Sequence, residues 1–214
     1  MTTDGAVYTW GFGGYGRLGH NEPADGLSPR AVETFEEPVR TRAGGPLGPP
    51  DGAVGITCGS ACTLVIRKSG STVFFGKTKT SGEATMYPKP IEDLNGWRVR
   101  AFGAGNTSIV ISAEKSVIAW GPSPTRGELG YGKGEKTSST KPQKMNPMEN
   151  YIVTQIACGH SHTLMVITGE DEDGLKKLAK FKPKPPKDIG ERPAEVKKGP
   201  VKKKPVKKKA AGAF

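Results

Sequence analysis

The sequence predicts an all-β fold, a partial β-propeller of about three four-stranded blades of a seven-bladed type, and three observations lead to it. The 214 residues include 30 Gly and 18 Pro, and helix formers are sparse before residue 170, which favours short strands joined by turns. Short apolar runs recur beside the same turn residues. Two copies of one run lie 45 residues apart, a spacing typical of a four-stranded propeller blade.

The clearest repeated segment covers residues 116–132, where an apolar strand ends in Trp-Gly and a polar loop leads to Gly-x-Leu-Gly. Related segments occupy residues 7–19 and 72–84. One repeat position is therefore shared by Trp10-Gly11, Phe75-Gly76 and Trp120-Gly121. We predict that the three aromatic side chains pack between neighbouring blades.

A second repeated segment has a small residue and Gly, three small or polar residues, and then an apolar strand. Its glycines are Gly59, Gly105 and Gly159. Glycine suits the tight backbone turn that would enter such a strand. We therefore predict a turn at each of the three positions.

The spacing between repeated residues indicates a true repeat rather than chance similarity in a Gly-rich β-sandwich. From a repeated Pro to the following Gly there are 17 residues in two copies, Pro88 to Gly105 and Pro142 to Gly159. The first copy has 30, which leaves 13 for an insertion. Residues 38–53, rich in Pro and Gly, supply that insertion, and we predict an exposed loop there.

The register predicts incomplete blades at both ends of the repeat region. Residues 1–168 open on the second half of a unit and close on the first half of another. Three units cannot close a ring, because propellers have at least about four blades. We therefore expect that further blades or a partner chain complete the propeller.

These motifs, in this order, resemble the regulator of chromosome condensation repeat. They are Trp-Gly-x(4–5)-Gly-x-Leu-Gly, Pro-x-x-Val/Ile and Cys/Ala-Gly-x-x-His/Ser-Thr. Residues 80–100 and 119–132 resemble a mitotic subtype of that family, and the likeness covers about residues 6–178, matching the C-terminal part of the subtype. The blade with Phe75-Gly76 departs from the pattern because Ala84-Thr85 replaces Leu-Gly.

The resemblance implies a seven-bladed, non-enzymatic interaction protein without a cofactor. It would promote guanine-nucleotide exchange on a small GTPase, or act as an adaptor on chromatin or the mitotic cytoskeleton, in the nucleus and the cytoplasm. A different class is a structural subunit of a large assembly, such as a ribonucleoprotein or a microtubule.

The net charge of +11 belongs to the C-terminal region. Residues 176–214 hold 14 Lys and one Arg against three acidic residues, so the remaining chain is close to neutral. We predict an acidic turn and short helix at 169–179 and a disordered tail at 180–214. Its lysine clusters suit nucleic acid, an import receptor or an acidic protein surface. They comprise Lys197, Lys198, Lys202, Lys203, Lys204, Lys207, Lys208 and Lys209.

Several patterns resemble catalytic or ligand sites, and the sequence favours a structural interpretation of each. Gly11–Gly16 match G-x-G-x-x-G, but glycines and prolines replace the helix that a phosphate loop requires. Ser161 and His162 lack an oxyanion-hole or elbow motif. We therefore predict no enzyme activity.

The cysteine and histidine patterns also favour a structural interpretation. Cys158, His160 and His162 alternate as metal ligands on one strand would, although the equivalent positions in other copies favour a turn or blade packing. Cys58 and Cys62 flank the same turn, where a thiol site is the alternative. The odd number of cysteines predicts free thiols in a reducing compartment. No apolar run reaches the roughly 18 residues of a membrane span.

Overall fold

A computed structural model describes residues 1–40, 46–77, 83–121, 123–169 and 172–179, and every structural statement below concerns these residues. The predicted disordered tail, with its eight clustered lysines from Lys197 to Lys209, lies outside them.

The described chain is built almost entirely of short strands. These are β1 (Tyr8–Gly11), β2 (Gly26–Ala31), β3 (Pro38–Arg40), β4 (Pro46–Pro50), β5 (Ala53–Cys58), β6 (Cys62–Arg67), β7 (Thr72–Gly76), β8 (Thr85–Pro90), β9 (Val99–Ala104), β10 (Ile109–Ala113), β11 (Ser116–Trp120), β12 (Gln143–Lys144), β13 (Ile152–Cys158) and β14 (Thr163–Thr168). One α-helix, α1, covers Glu172–Leu178. No described helix is long and apolar enough to cross a membrane.

The strands form two complete blades and two half-blades. Strands β5-β6-β7-β8 make one antiparallel sheet of four, and β9-β10-β11-β12 make another. Strand β1 pairs with β2 before them, and β13 pairs with β14 after them. The prediction of an all-β partial propeller with four-stranded blades is therefore confirmed.

The insertion forms a pair of strands rather than the predicted loop. Strand β3 pairs with β4 in a small antiparallel sheet of its own, and Leu47 on β4 is exposed. The insertion ends before Ala53, which is buried and begins the first strand of the next blade.

Apolar side chains on the two faces of each sheet form separate cores between successive blades. Phe75 packs with Val7, Val32 and Phe35 from the preceding part of the chain. Trp120 packs with Cys62 and Leu64 of the blade before its own. The side chains of Phe75 and Trp120 therefore pack against the blade that precedes their own in the chain.

Trp10 contradicts the prediction that all three aromatic residues are buried. Its exposed fraction is 60%, whereas that of Phe75 is 0% and that of Trp120 is 2%. The reason is its place in the chain, since no described blade precedes β1. The aromatic residue at this repeat position is thus buried in the two complete blades and exposed in the first half-blade.

This difference predicts unequal effects of the same truncation. Trp120→Ala should lower the free energy of unfolding by about 3–5 kcal/mol, because a fully buried Trp leaves a cavity. Trp10→Ala is the matched control and should change it by less than about 0.5 kcal/mol in an isolated chain. Urea unfolding followed by circular dichroism would measure both, and equal losses would contradict the assignment of the three cores.

Candidate interaction face

The turns that join the first and second strands of successive blades lie side by side. The Ser60 amide donates to the Gly105 carbonyl over 3.1 Å, and the Asn106 amide donates to the Gly159 carbonyl over 3.4 Å. Ser60 Oγ also donates to the Asn106 carbonyl over 2.8 Å. The three predicted turns are thus joined into one continuous strip of backbone.

Glycine is required in this strip because the turns approach too closely for a side chain. A Cβ on Gly59 would lie 3.0 Å from the Gly105 carbonyl oxygen. A Cβ on Gly105 would overlap the Gly159 carbonyl oxygen and stand 3.0 Å from the Cβ of Cys158. The repeated Gly therefore sets the distance between neighbouring blades.

Outer loops are attached to the strip by a repeated threonine contact. Thr63 Oγ1 donates to the Arg17 carbonyl over 2.9 Å, and Thr163 Oγ1 donates to the Glu128 carbonyl over 2.8 Å. Arg17 and Glu128 occupy the same position, the x of Gly-x-Leu-Gly. Each contact links the loop of one blade to the second strand of the next.

Glu128 is a buried carboxylate that holds its own loop. It accepts hydrogen bonds from the Arg126 amide over 2.8 Å and from Thr107 Oγ1 over 3.2 Å. Burial alone raises the pKa of Glu128, but hydrogen bonds from backbone amides and from Thr107 outweigh it, and the net pKa is lowered. The charge is therefore satisfied within the fold and serves loop structure.

At the end of the strip, two exposed aromatic side chains of the first outer loop lie beside two partly exposed basic side chains, one on the same loop and one just after β7. The Arg17 guanidinium lies 4.7 Å from the ring centre of Phe12 and 5.7 Å from that of Tyr15. Lys77 Nζ lies 5.2 Å from the Tyr15 ring centre. Both aromatic rings are exposed. We call these four residues the aromatic–cation patch.

Hydrogen bonds from Arg17 and the backbone conformation of Tyr15 hold this patch in place. Arg17 Nε donates to the Gly14 carbonyl over 2.8 Å, and its Nη1 donates to the Ser60 carbonyl. Tyr15 has a left-handed backbone with φ of 63°, in a 3₁₀ turn over Gly14–Gly16. The patch is therefore joined to the strip of turns through Arg17.

The segment that matches G-x-G-x-x-G is a turn, as the sequence favours. The next regular element after Gly14–Gly16 is strand β2, so the helix N-terminus that would hold a phosphate does not follow.

The cysteine and histidine candidates do not meet in a reactive site. His160 and His162 lie in the turn between β13 and β14 and are exposed, while Cys158 ends β13. Within the described ranges, no three His, Cys, Asp or Glu side chains are grouped as metal ligands. Burial and the nearby Cys58 raise the pKa of Cys62 to about 12, so this thiol stays protonated at neutral pH.

A model of the regulator of chromosome condensation (RCC1) repeat matches residues 4–66 and 116–166, more than half of the chain. The chain belongs to the RCC1 repeat family. The unmatched residues 67–115 include the diverged copy, in which Phe75-Gly76 replaces Trp-Gly.

Curated relatives confirm the likeness to the mitotic subtype, the second regulator of chromosome condensation or telophase-disc protein. Protein RCC2 homolog of Xenopus laevis is 43% identical over 181 residues, covering 83% of this chain and 33% of the relative. Protein RCC2 of Homo sapiens is 42% identical over 181 residues with the same coverage, 83% and 33%. The chain thus spans about a third of the length of these relatives.

Solved structures share the fold. Human WBSCR16 matches with a TM-score of 0.59 and 20% identity, over 78% of this chain and 42% of that one. Prp20p from Saccharomyces cerevisiae matches with a TM-score of 0.58 and 17% identity, over 84% of this chain and 43% of that one. Prp20p is a protein with binding properties to Gsp1p and histones.

The predicted repeat residues occupy equivalent places in this RCC1-repeat chain. Gly11 and Gly76 are the last residues of β1 and β7, and Gly121 follows β11. Gly59, Gly105 and Gly159 lie in the joined turns. Sequence reasoning missed the aromatic–cation patch. Two aromatic residues inside a glycine-rich turn were the available signal, because such a turn has no core in which to bury them.

The close approach of the turns at Gly105 predicts that a larger residue there lowers stability. Gly105→Ala should destabilise the chain by about 1–3 kcal/mol, because the added methyl group pushes two turns apart. Gly48→Ala is the matched control, with no atom within 4 Å of the added methyl group. Thermal or urea unfolding would measure both variants, and two equally stable variants would show that the turns can separate without cost.

Proposed function

We propose that this chain is a non-catalytic interaction protein that binds a protein partner through the aromatic–cation patch and the adjacent strip of turns. The patch is the observation that carries the proposal. Exposed Phe and Tyr beside Arg form the kind of surface that supplies hot spots at protein interfaces. Membership of the RCC1 repeat family supports a regulatory role rather than catalysis.

The proposed partners are a small GTPase and chromatin. Prp20p, which shares the fold, binds Gsp1p and histones. A GTPase bound to the face would serve either guanine-nucleotide exchange or adaptor binding. The aromatic–cation patch is a binding surface, so the adaptor role is the one that it supports directly.

The basic tail is proposed as a second contact, with a polyanion. Its clustered lysines at 197–209 would neutralise nucleic acid or an acidic protein surface without reading sequence. Chromatin offers both kinds of surface, so a nuclear location follows from this proposal, with the mitotic cytoskeleton as a further acidic surface. A structural subunit of a large assembly, with the tail along its surface, is the alternative that the same tail supports.

The patch proposal predicts a specific loss of binding. Phe12→Ala should weaken binding of a Gsp1p-type GTPase or of histone octamers by tenfold or more, since loss of a hot-spot aromatic costs about 2 kcal/mol or more. Tyr87→Ala, at another exposed aromatic residue on a complete blade, is the matched control and should leave binding unchanged. Calorimetry would report affinity, and GDP release would report exchange. Unchanged binding of both partners to Phe12→Ala would refute the role of the patch.

The proposed contact between the basic tail and a polyanion predicts a change in the salt dependence of binding. Deleting residues 180–214 should flatten the dependence of duplex DNA affinity on salt, because fewer counterions are released when fewer lysines bind phosphate. A chain with the eight clustered lysines changed to Gln is the matched control for length and should behave like the deletion. A salt slope that stays the same in both variants would place the polyanion contact elsewhere.

A further inference from the structure

The outer loop of the first half-blade covers part of the blade that follows it. A Cβ on Gly16 would overlap the side chain of Met86, which begins the fourth strand of that blade with Thr85. A Cβ on Gly19 would stand 3.0 Å from the Phe75 ring. The Asn21 amide donates to the Met86 carbonyl over 2.9 Å. The Gly-x-Leu-Gly turn and the residues after it therefore pack on the third and fourth strands of the next blade.

The first complete blade lacks the sequence for an equivalent loop over the second complete blade. Fourteen residues, 12–25, join β1 to β2, whereas eight residues, 77–84, join β7 to β8. Ala84-Thr85 also replaces the Leu-Gly of the turn. The residues that would make the equivalent contacts are therefore missing at this one interface between two complete blades.

The described residues leave a groove of about 260 Å³ at this interface. On the side of the second complete blade, its lining includes Trp120 and Thr140. Trp120 has the repeat position of Phe75. Thr140 has that of Met86, because each lies two residues before the repeated Pro. The groove is thus the site that a Gly-x-Leu-Gly turn occupies one interface earlier.

The floor of the groove is apolar and continuous with the core between the two complete blades. Ile91 and Trp120 are buried members of that core, and Phe74 packs against it while remaining partly exposed. In the two loops that do carry the turn, Leu18 is 5% exposed and Leu129 is 1% exposed. The groove is smaller than the roughly 300–1,000 Å³ of pockets for small molecules, which favours a side chain on a turn as its occupant.

Basic side chains flank the groove where the chain that follows the turn would run. Lys89 and Lys141 line the groove, and both are exposed. Lys141 follows Thr140, the equivalent of the residue to which the Asn21 amide donates one interface earlier. A carboxylate placed shortly after the turn would therefore lie beside Lys141.

We propose that this groove binds a partner protein that presents a Gly-x-Leu-Gly turn followed by an acidic residue. The leucine of the turn packs on Phe74, and its glycines allow the backbone to approach Trp120 closely. The acidic residue pairs with Lys141. Glu92 and Asp93 line the groove after the end of β8, away from that lysine in the sequence, and complement a basic residue of the partner.

A synthetic peptide tests the groove. The fluorescently labelled peptide copies residues 13–25, which carry the turn with Leu18 and an acidic residue, Glu22, shortly after it. We expect saturable binding to the full 214-residue chain by fluorescence anisotropy. A peptide with Leu18→Ala is the matched control and should bind at least tenfold more weakly, because it loses the apolar contact. No binding, or equal binding of the two peptides, would overturn the proposal.

Charge variants of the chain test where the peptide binds. Lys141→Glu should weaken binding at least fivefold, because it places a carboxylate beside the acidic residue of the peptide. Lys133→Glu makes the same charge change at an exposed lysine that does not line the groove, and it should retain the affinity. Equal losses in both variants would contradict the assigned site. Phe12→Ala should also retain the affinity, so failure of the groove and failure of the aromatic–cation patch are distinguishable.

A loop exchange tests why the groove is open. Replacing residues 77–84 by a copy of residues 12–25 gives the first complete blade a loop of the kind that covers the equivalent site. Peptide affinity should fall at least tenfold, with the circular dichroism spectrum unchanged. The same exchange with Leu18→Ala in the copied loop is the control and should block the peptide less. Full peptide affinity in a folded exchange variant would place the peptide outside the groove and overturn the proposal.

Discussion

Close backbone contact between successive turns is the constraint on which the rest of the structure depends. Gly59 and Gly105 bring each turn against the carbonyl oxygen of the next, and amide hydrogen bonds join the turns directly. Because the turns have a set separation, the sheets behind them are held at a distance that aromatic side chains can fill. The cores that contain Phe75 and Trp120 therefore follow from contacts that are made mainly by the backbone of the turns.

The repeat, the blade order and the half-blades at each end could all be predicted from the spacing of glycine, proline and Trp-Gly. Spacing reports which residues are equivalent, and it places Trp10, Phe75 and Trp120 in one set. It could not report that Trp10 is exposed, because burial depends on a neighbouring blade and not on the strand that carries the residue. The ordered hairpin of β3 and β4 was also missed, since its sequence lacks the alternation by which strands are recognised.

The candidate site was harder to predict than the fold. The aromatic–cation patch arises from a left-handed Tyr15 and from an Arg17 that reaches the next blade, and neither feature has a sequence pattern of its own. The patterns that did resemble sites, such as G-x-G-x-x-G and the alternating His160 and His162, are turns. In a repeat fold the turn residues recur for structural reasons, so interaction residues are found where one copy differs from the others.

The hairpin of β3 and β4 shows how this architecture accepts extra chain. It sits between the last strand of one unit and the first strand of the next, and its two strands pair with no other strand of the described residues. Leu47 on β4 is exposed. Lengthening an exposed connection costs little chain entropy, because that cost grows only with the logarithm of loop length. This site is therefore the natural place to graft a fluorophore-binding tag or an epitope, since the graft would leave all three inter-blade cores and the interaction face intact.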